Sequence, residues 1–192
     1  MTQLTDQLLA YARGGKFQVE KISIGDFISS TLPLIQYNIK STVGVKTDIP
    51  HDISRIKADL TQMQMVVSAI ISNASEAIDS TGCIRITGRN IEITEENSKD
   101  FGGLNPAPYV SLKIQDDGKG MDEETRKRVF EPFFTTKDEG EGTGLGLSLV
   151  YGIVESHGGT IRVVDNHGGG ARFIIELPVG TADTGGEHGE SP

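Results

Sequence analysis

Residues 140–147, Gly-Glu-Gly-Thr-Gly-Leu-Gly-Leu, place four glycines directly before the apolar helical run Ser148-Leu149-Val150-Tyr151-Gly152-Ile153-Val154. Glycines let a ligand approach the backbone closely. The unpaired amides and positive dipole end of the helix that follows make a phosphate site without any basic patch. Such a site suits a chain of formal net charge −9, a balance that argues against binding the nucleic-acid backbone. No Lys-Ser or Lys-Thr follows the last glycine, so the run is not a phosphate loop of the GxxxxGK[ST] type. The order of elements around it is not that of a dinucleotide fold either. A flexible linker is the alternative reading, but linkers rarely enter so regular an amphipathic helix.

Another glycine cluster, earlier in the chain, follows a strand. The run ending Ile114-Gln115 passes directly into Asp116-Asp117-Gly118-Lys119-Gly120-Met121, which puts a carboxylate at a strand end beside two glycines. A strand-end carboxylate in an apolar pocket accepts a hydrogen bond from an amino group such as adenine's, whereas guanine presents a carbonyl oxygen there. The site would favour ATP over GTP. Alone, Asp-Asp-Gly is also an ordinary turn. A third feature lies on the longest expected helix, where Asn73 and Glu76 sit three residues apart at the edge of the apolar stripe. An Asn carbonyl oxygen suits Mg²⁺, which takes few protein ligands beside nucleotide phosphates. Helix packing or solvation is the other reading of Asn73.

The 192 residues allow one core, and 36% hydrophobic with 23% charged residues is a globular composition. No apolar run reaches membrane-spanning length and the start lacks a signal-peptide pattern, so a cytoplasmic location is the default expectation. The single cysteine, Cys83, is expected as a buried strand residue. Apolar periodicity predicts a helix over residues 4–13, a second capped by Asp26, and a third over residues 59–78 capped by Asp59 and ended by Gly82. Strands are expected at 43–49, 83–92, 109–115, 160–164 and 171–177, with a long mobile loop in the central hairpin, a helix from near Leu145 and a disordered tail from Gly180.

These features occur in the order found in the catalytic domain of sensor histidine kinases, and with FEPFFTTK at 130–137 the chain resembles that domain over residues 23–178. SNASEAI at 72–78 looks like the N box, DDGKG at 116–120 the first glycine box, FEPFF the F box and GTGLGL the second glycine box. The wider superfamily includes gyrase, the ninety-kilodalton heat-shock chaperone and the mismatch-repair ATPases. The resemblance implies an α/β (α+β) two-layer sandwich, with helices on one face of a mixed, mostly antiparallel sheet and ATP held under a lid, here residues 121–142.

It further implies that Asn73 coordinates Mg²⁺ and serves catalysis, and that Asp116 and Gly120 receive adenine. Gly142, Gly144 and Gly146 would line the phosphates, and Ala77, Gly118, Met121, Thr143, Leu145 and Leu147 would also bind the nucleotide. Phe133 and Phe134 would anchor the lid, and Lys137 would either approach the phosphates or remain a solvated surface charge. Residues 1–15 resemble the end of the second helix of a dimerisation and phosphoacceptor hairpin, 16–179 form the catalytic domain and 180–192 a tail. The implied partners are ATP, the parent kinase's acceptor hairpin and a response regulator receiver domain, with a homodimeric parent, this chain itself monomeric, and no nucleic acid.

None of the four histidines suits the acceptor: His51 follows Pro50 between extended segments, His157 closes a helix, His167 lies in a hairpin turn and His188 in the tail. Ala69, four residues before Asn73, departs from the pattern, since hydrolytic relatives carry a water-activating glutamate there and many histidine kinases an asparagine. The competing readings are a gyrase-type conformational ATPase, against which Ala69 counts, a non-catalytic nucleotide-binding module, and an anti-sigma-type serine or threonine kinase.

Overall fold

The computed structural model describes residues 18–138, 142–166 and 168–180. The elements run β1 (Val19–Ile22), α1 (Ile24–Ile35), β2 (Val43–Asp48), β3 (Ile56–Asp59), α2 (Leu60–Ala77), β4 (Gly82–Ile93), β5 (Ala107–Gln115), α3 (Glu123–Arg128), α4 (Gly146–Ser156), β6 (Thr160–Asp165) and β7 (Ala171–Pro178). The expected helix over residues 4–13, the tail beyond Gly180, His167 and His188 lie outside the described residues.

Five strands form one mixed sheet in the order β2-β4-β5-β7-β6, with β2 parallel to β4 and the other pairings antiparallel. Strand alternation sends Ile86, Leu112, Ile114, Phe173 and Ile175 to one face, where all are buried. Against that face lies α2, whose Met63, Val66, Val67, Ile70, Ile71 and Ala74 recur every three or four residues and are likewise buried. Helix α4 contributes Val150, Ile153 and Val154 to the same core. The result is the expected layer of helices on one face of a mixed sheet.

Local chemistry departs from the sequence expectations at several places. The cap of α1 is Ser23, whose hydroxyl accepts from the Asp26 backbone N–H, while Asp26 sits in the first turn. Helix α2 is capped by Asp59 as expected but stops at Ala77, and Gly82 opens β4 instead of ending the helix. Its last carbonyls are taken by groups from elsewhere: Lys40 donates from Nζ to Ile78 at 2.7 Å and to Glu76 at 3.4 Å, and the Lys119 N–H donates to Ala77 at 3.0 Å. Beyond the expected strands there is a two-stranded sheet in which β1 pairs antiparallel with β3. The β4–β5 loop, expected to be mobile, holds a 3₁₀ turn at Ser98–Phe101 tied down by Ser98 Oγ donating to the Leu104 carbonyl at 2.6 Å.

His157 is the C-cap residue of α4, and Gly158 beside it has φ +72°. Its ring does more than close that helix. Nδ1 lies 2.7 Å from the Ile153 carbonyl and Nε2 accepts the Asp59 backbone N–H at 2.9 Å, a pair of partners that fixes the neutral tautomer protonated on Nδ1. The C-terminus of α4 is thereby pinned to the N-terminus of α2.

The other sheet face carries a fully buried carboxylate, Glu176, beside Ser111, Thr160 and Arg162. Burial raises its pKa, against the opposing pull of Arg162 and the hydroxyl donors. A carboxyl whose folded-state pKa exceeds its unfolded value contributes stability below the unfolded pKa and loses it as pH rises through the folded pKa. Glu176→Gln should therefore lose less stability than the parent chain between acid and neutral pH. Denaturant melts at several pH values check this, and a parallel pH dependence for the two proteins would disprove it.

Candidate nucleotide-binding site

Asp116 is the residue at which β5 leaves the sheet, and it is 3% exposed. Its Oδ1 accepts two backbone N–H groups, from Gly118 at 2.9 Å and Ala171 at 3.2 Å, which leaves Oδ2 for a donor from outside the chain. Burial raises its pKa, only partly offset by those two amides. The adjacent carboxylate works differently. Asp117 is exposed, and its Oδ1 accepts the Cys83 N–H at 2.9 Å, fastening the loop to the start of β4. Cys83, expected to be buried, is half-buried there.

The loop after Asp116 is clamped between two backbone walls. A side chain at Gly118 would put its Cβ 2.5 Å from the Ala77 carbonyl oxygen at the end of α2. Gly120 has φ +72°, and a Cβ there would stand 3.1 Å from the Gly170 carbonyl oxygen. On that second wall, Asn166 donates from Nδ2 to the Asp116 carbonyl at 3.0 Å, and Gly170 runs so close that a Cβ would come within 2.1 Å of the same oxygen. Asn166 and Gly170 belong to the β6–β7 turn and Ala171 opens β7, a segment for which the sequence alone suggests only a plain hairpin. The run of three glycines in Asn166-His167-Gly168-Gly169-Gly170 is the signal that could reveal more, since a hairpin turn alone needs fewer.

The second glycine cluster stands where the sequence places it, with Gly146 the first residue of α4 and open space around its Cα. Thr143 is exposed, Gly142, Leu145 and Leu147 are half-buried, and Thr143 Oγ1 accepts the Leu145 N–H at 3.4 Å. Gly144, at φ +65°, accepts the Phe133 N–H at 2.9 Å, so the F-box backbone and the glycine loop are joined directly. Phe133 itself has φ +66° and is 75% exposed, so its ring does not hold the lid. That role falls to Val129, which is buried, and to Phe130, whose ring meets Phe173 edge-on at 6.4 Å and Tyr151 at 5.7 Å. Phe134 is half-buried under the Arg128 guanidinium, 4.4 Å from its ring centre. Met121, also half-buried, packs against the core.

On α2, Asn73 is half-buried, one turn before Ala77 and so one turn from the wall under Gly118. Ala69 is half-buried against the core. Lys137 forms an ion pair across the lid with Glu76 of α2, a partner the sequence does not suggest. Among the described residues there is no group of three or more His, Cys, Asp or Glu able to hold a metal ion. The side-chain oxygen of an asparagine such as Asn73 is a donor type that suits a magnesium ion held chiefly by phosphates and water.

Residues 58–181 match the family of histidine kinase-, DNA gyrase B- and HSP90-like ATPases. The chain belongs to that family. Over 175 residues it is 35% identical to the sensor kinase CckA of Brucella abortus (strain 2308), covering 91% of this chain and 18% of that protein. Over 180 residues it is 32% identical to the signal transduction histidine-protein kinase AtoS of Escherichia coli (strain K12), covering 93% of this chain and 27% of AtoS. The ATPase-family chain thus spans roughly a fifth to a quarter of the length of these relatives. Among solved structures it is similar to the catalytic domain of the histidine kinase ThkA, with TM-score 0.67, 27% identity, and 84% of this chain and 96% of that one covered. The histidine kinase branch of the family is where its similarity lies, and no helix among the described residues is long and apolar enough to cross a membrane.

Proposed function

We propose that this chain is the ATP-binding catalytic domain of a two-component sensor histidine kinase, transferring the γ-phosphoryl group of ATP to a histidine outside residues 1–192. The observation that carries the reading is Asp116, a buried strand-end carboxylate with one oxygen held by two backbone amides and the other left for the adenine amino group. The similarity to CckA, AtoS and ThkA supports placing this ATP site in a histidine kinase.

Asp116, with Ala77, Gly118, Gly120 and Met121 around it, receives the base. The backbone amides of residues 142–147, at the start of α4, take the phosphates. Asn73 offers its carbonyl oxygen to Mg²⁺, which supplies charge neutralisation on the phosphates when bound. Phosphoryl transfer is catalysed mainly by positioning and electrostatics, so the chain needs no nucleophile of its own. The P–O bond to ADP breaks and a P–N bond forms at the acceptor imidazole, whose own neighbours take the proton.

The histidines within the described residues do not suit the acceptor role: His51 lies in a turn between β2 and β3, and both ring nitrogens of His157 are engaged. Ala69 cannot orient or deprotonate water, which disfavours the conformational-ATPase reading. The relay partner is a response regulator aspartate, and the phosphoacceptor is a helical hairpin of a dimeric parent kinase.

Mixed with labelled ATP and Mg²⁺, the chain should stay unlabelled and release little phosphate. Addition of the acceptor hairpin should give an acid-labile, base-stable phosphate on the hairpin that Asn73→Ala abolishes. Stable label on the chain alone would contradict the acceptor assignment, and phosphate release at gyrase-like rates would favour the ATPase alternative.

A further inference from the structure

The lid is tied to the helix beneath it by one ion pair between groups 61 residues apart, Lys137 Nζ and Glu76 Oε2. Neither side chain is sealed from water, at 38% and 48% exposure, so the pair can open without burying an orphaned charge. Its position is what gives it meaning. Glu76 follows Asn73 by three residues on the same helix face, and its other oxygen accepts from Ser72 Oγ at 3.4 Å. The Lys137 stem passes along the second glycine cluster, where a Cβ on Gly142 would stand 3.1 Å from Lys137 Cδ, and its N–H donates to Thr135 Oγ1 at 3.2 Å. The ammonium therefore lies between the helix that carries Asn73 and the loop that would receive phosphates.

A triphosphate arriving there presents more negative charge to Lys137 than one carboxylate does, while its own charge is repelled by Glu76. One ammonium then faces two anionic partners that disfavour each other's company. Resting on the ATP-site reading above, we propose that Glu76 is a positioning residue that holds Lys137 across the mouth of the site until the terminal phosphate of ATP takes the lysine from it. The lid thus has two alternative anchors, and ATP, with a third phosphate within reach, draws on the exchange more than ADP does. Every triphosphate bound must break the lysine–glutamate pair, so the pair lowers affinity while it guides the lysine.

Calorimetry with Mg²⁺–ATP and Mg²⁺–ADP on the 192-residue chain, Glu76→Gln, Lys137→Met and the double variant tests this. A partly exposed ion pair of this kind corresponds to about a two- to fivefold change in affinity. Glu76→Gln should tighten ATP by that factor and ADP by less, and the gain should shrink in the Lys137→Met background, where no pair has to be broken. Weaker ATP binding by Glu76→Gln would mean that glutamate and phosphate hold the lysine together, which overturns the exchange. An equal gain with and without Lys137 would reduce Glu76 to plain repulsion and also overturns it. If the parent chain binds no ATP, the nucleotide-site reading itself falls, whereas ATP binding that Glu76→Gln leaves unchanged removes the exchange alone.

Discussion

Asp116→Asn should bind ATP about ten- to more than a hundredfold more weakly than the parent chain, because a charge-assisted hydrogen bond in a desolvated site contributes about 1.5–3 kcal/mol. The substitution keeps the shape and, through its amide oxygen, can still accept from the Gly118 and Ala171 N–H groups. What changes is the second atom, an acceptor in the parent and an NH₂ donor in the variant, which would face the adenine amino group donor to donor. The effect should carry a pH signature. Since burial raises the Asp116 pKa, the parent's affinity for ATP should fall as pH drops through that raised value, whereas the variant's should not follow it. Calorimetry at two pH values measures both, and unchanged affinity in Asp116→Asn would remove Asp116 from the base pocket.

The second large effect is expected in the turn between β6 and β7. Gly170→Ala forces an L side chain into φ +87° and drives its Cβ to 2.1 Å from the Asp116 carbonyl oxygen, a backbone atom that cannot swing aside. The left-handed conformation costs about 1–2 kcal/mol and the overpacking about 1–3 kcal/mol, so a loss of roughly 2–5 kcal/mol is expected. For a domain of this size that corresponds to a melting temperature lower by roughly 4–20 °C. Nucleotide affinity should fall as well, since the Ala171 N–H that holds Asp116 Oδ1 follows directly in the chain. Gly168→Ala, with nothing within 4 Å of its Cβ, is the comparison. If both alanine variants melt like the parent, the close approach does not constrain the turn.

What can be seen in the sequence and what cannot divides along the range of the interactions involved. The two glycine clusters, the strand-end Asp116 and the apolar stripe of α2 are local patterns, each complete within a dozen or so residues, and each stands close to where periodicity and spacing put it. The strands β1 and β3 escape such patterns because Val19–Ile22 and Ile56–Asp59 are only four residues each and acquire strand character by pairing across the chain. The Ser23 cap is legible in principle, since Ser-Ile-Gly-Asp at 23–26 has the capping-box spacing, but Asp26 is itself a good capping residue and competes with it on sequence grounds. Glu76 with Lys137, Lys40 at the end of α2 and Asn166 behind Asp116 are contacts between segments 36 to 61 residues apart, for which no local pattern exists. The lid anchor shifts from Phe133 and Phe134 to Phe130 because three phenylalanines within five residues differ only in which way the backbone turns them. Phe133 takes a positive φ and bonds through its N–H to the Gly144 carbonyl.

The turn behind Asp116 also bears on how the domain comes into being. Three of the four boxes and most of α2's partners precede residue 147, yet the amide of Ala171, the carboxamide of Asn166 and the close wall at Gly170 all come from the final hairpin. A chain emerging from the ribosome in sequence order presents residues 142–147 first and, with Asp116 as the proposed partner of adenine, has no finished base pocket until β7 pairs with β5. On the proposed assignment the domain is blind to adenine during synthesis until its last strand is in place, and nucleotide, needing the completed site, should favour the fully folded chain over every shorter intermediate.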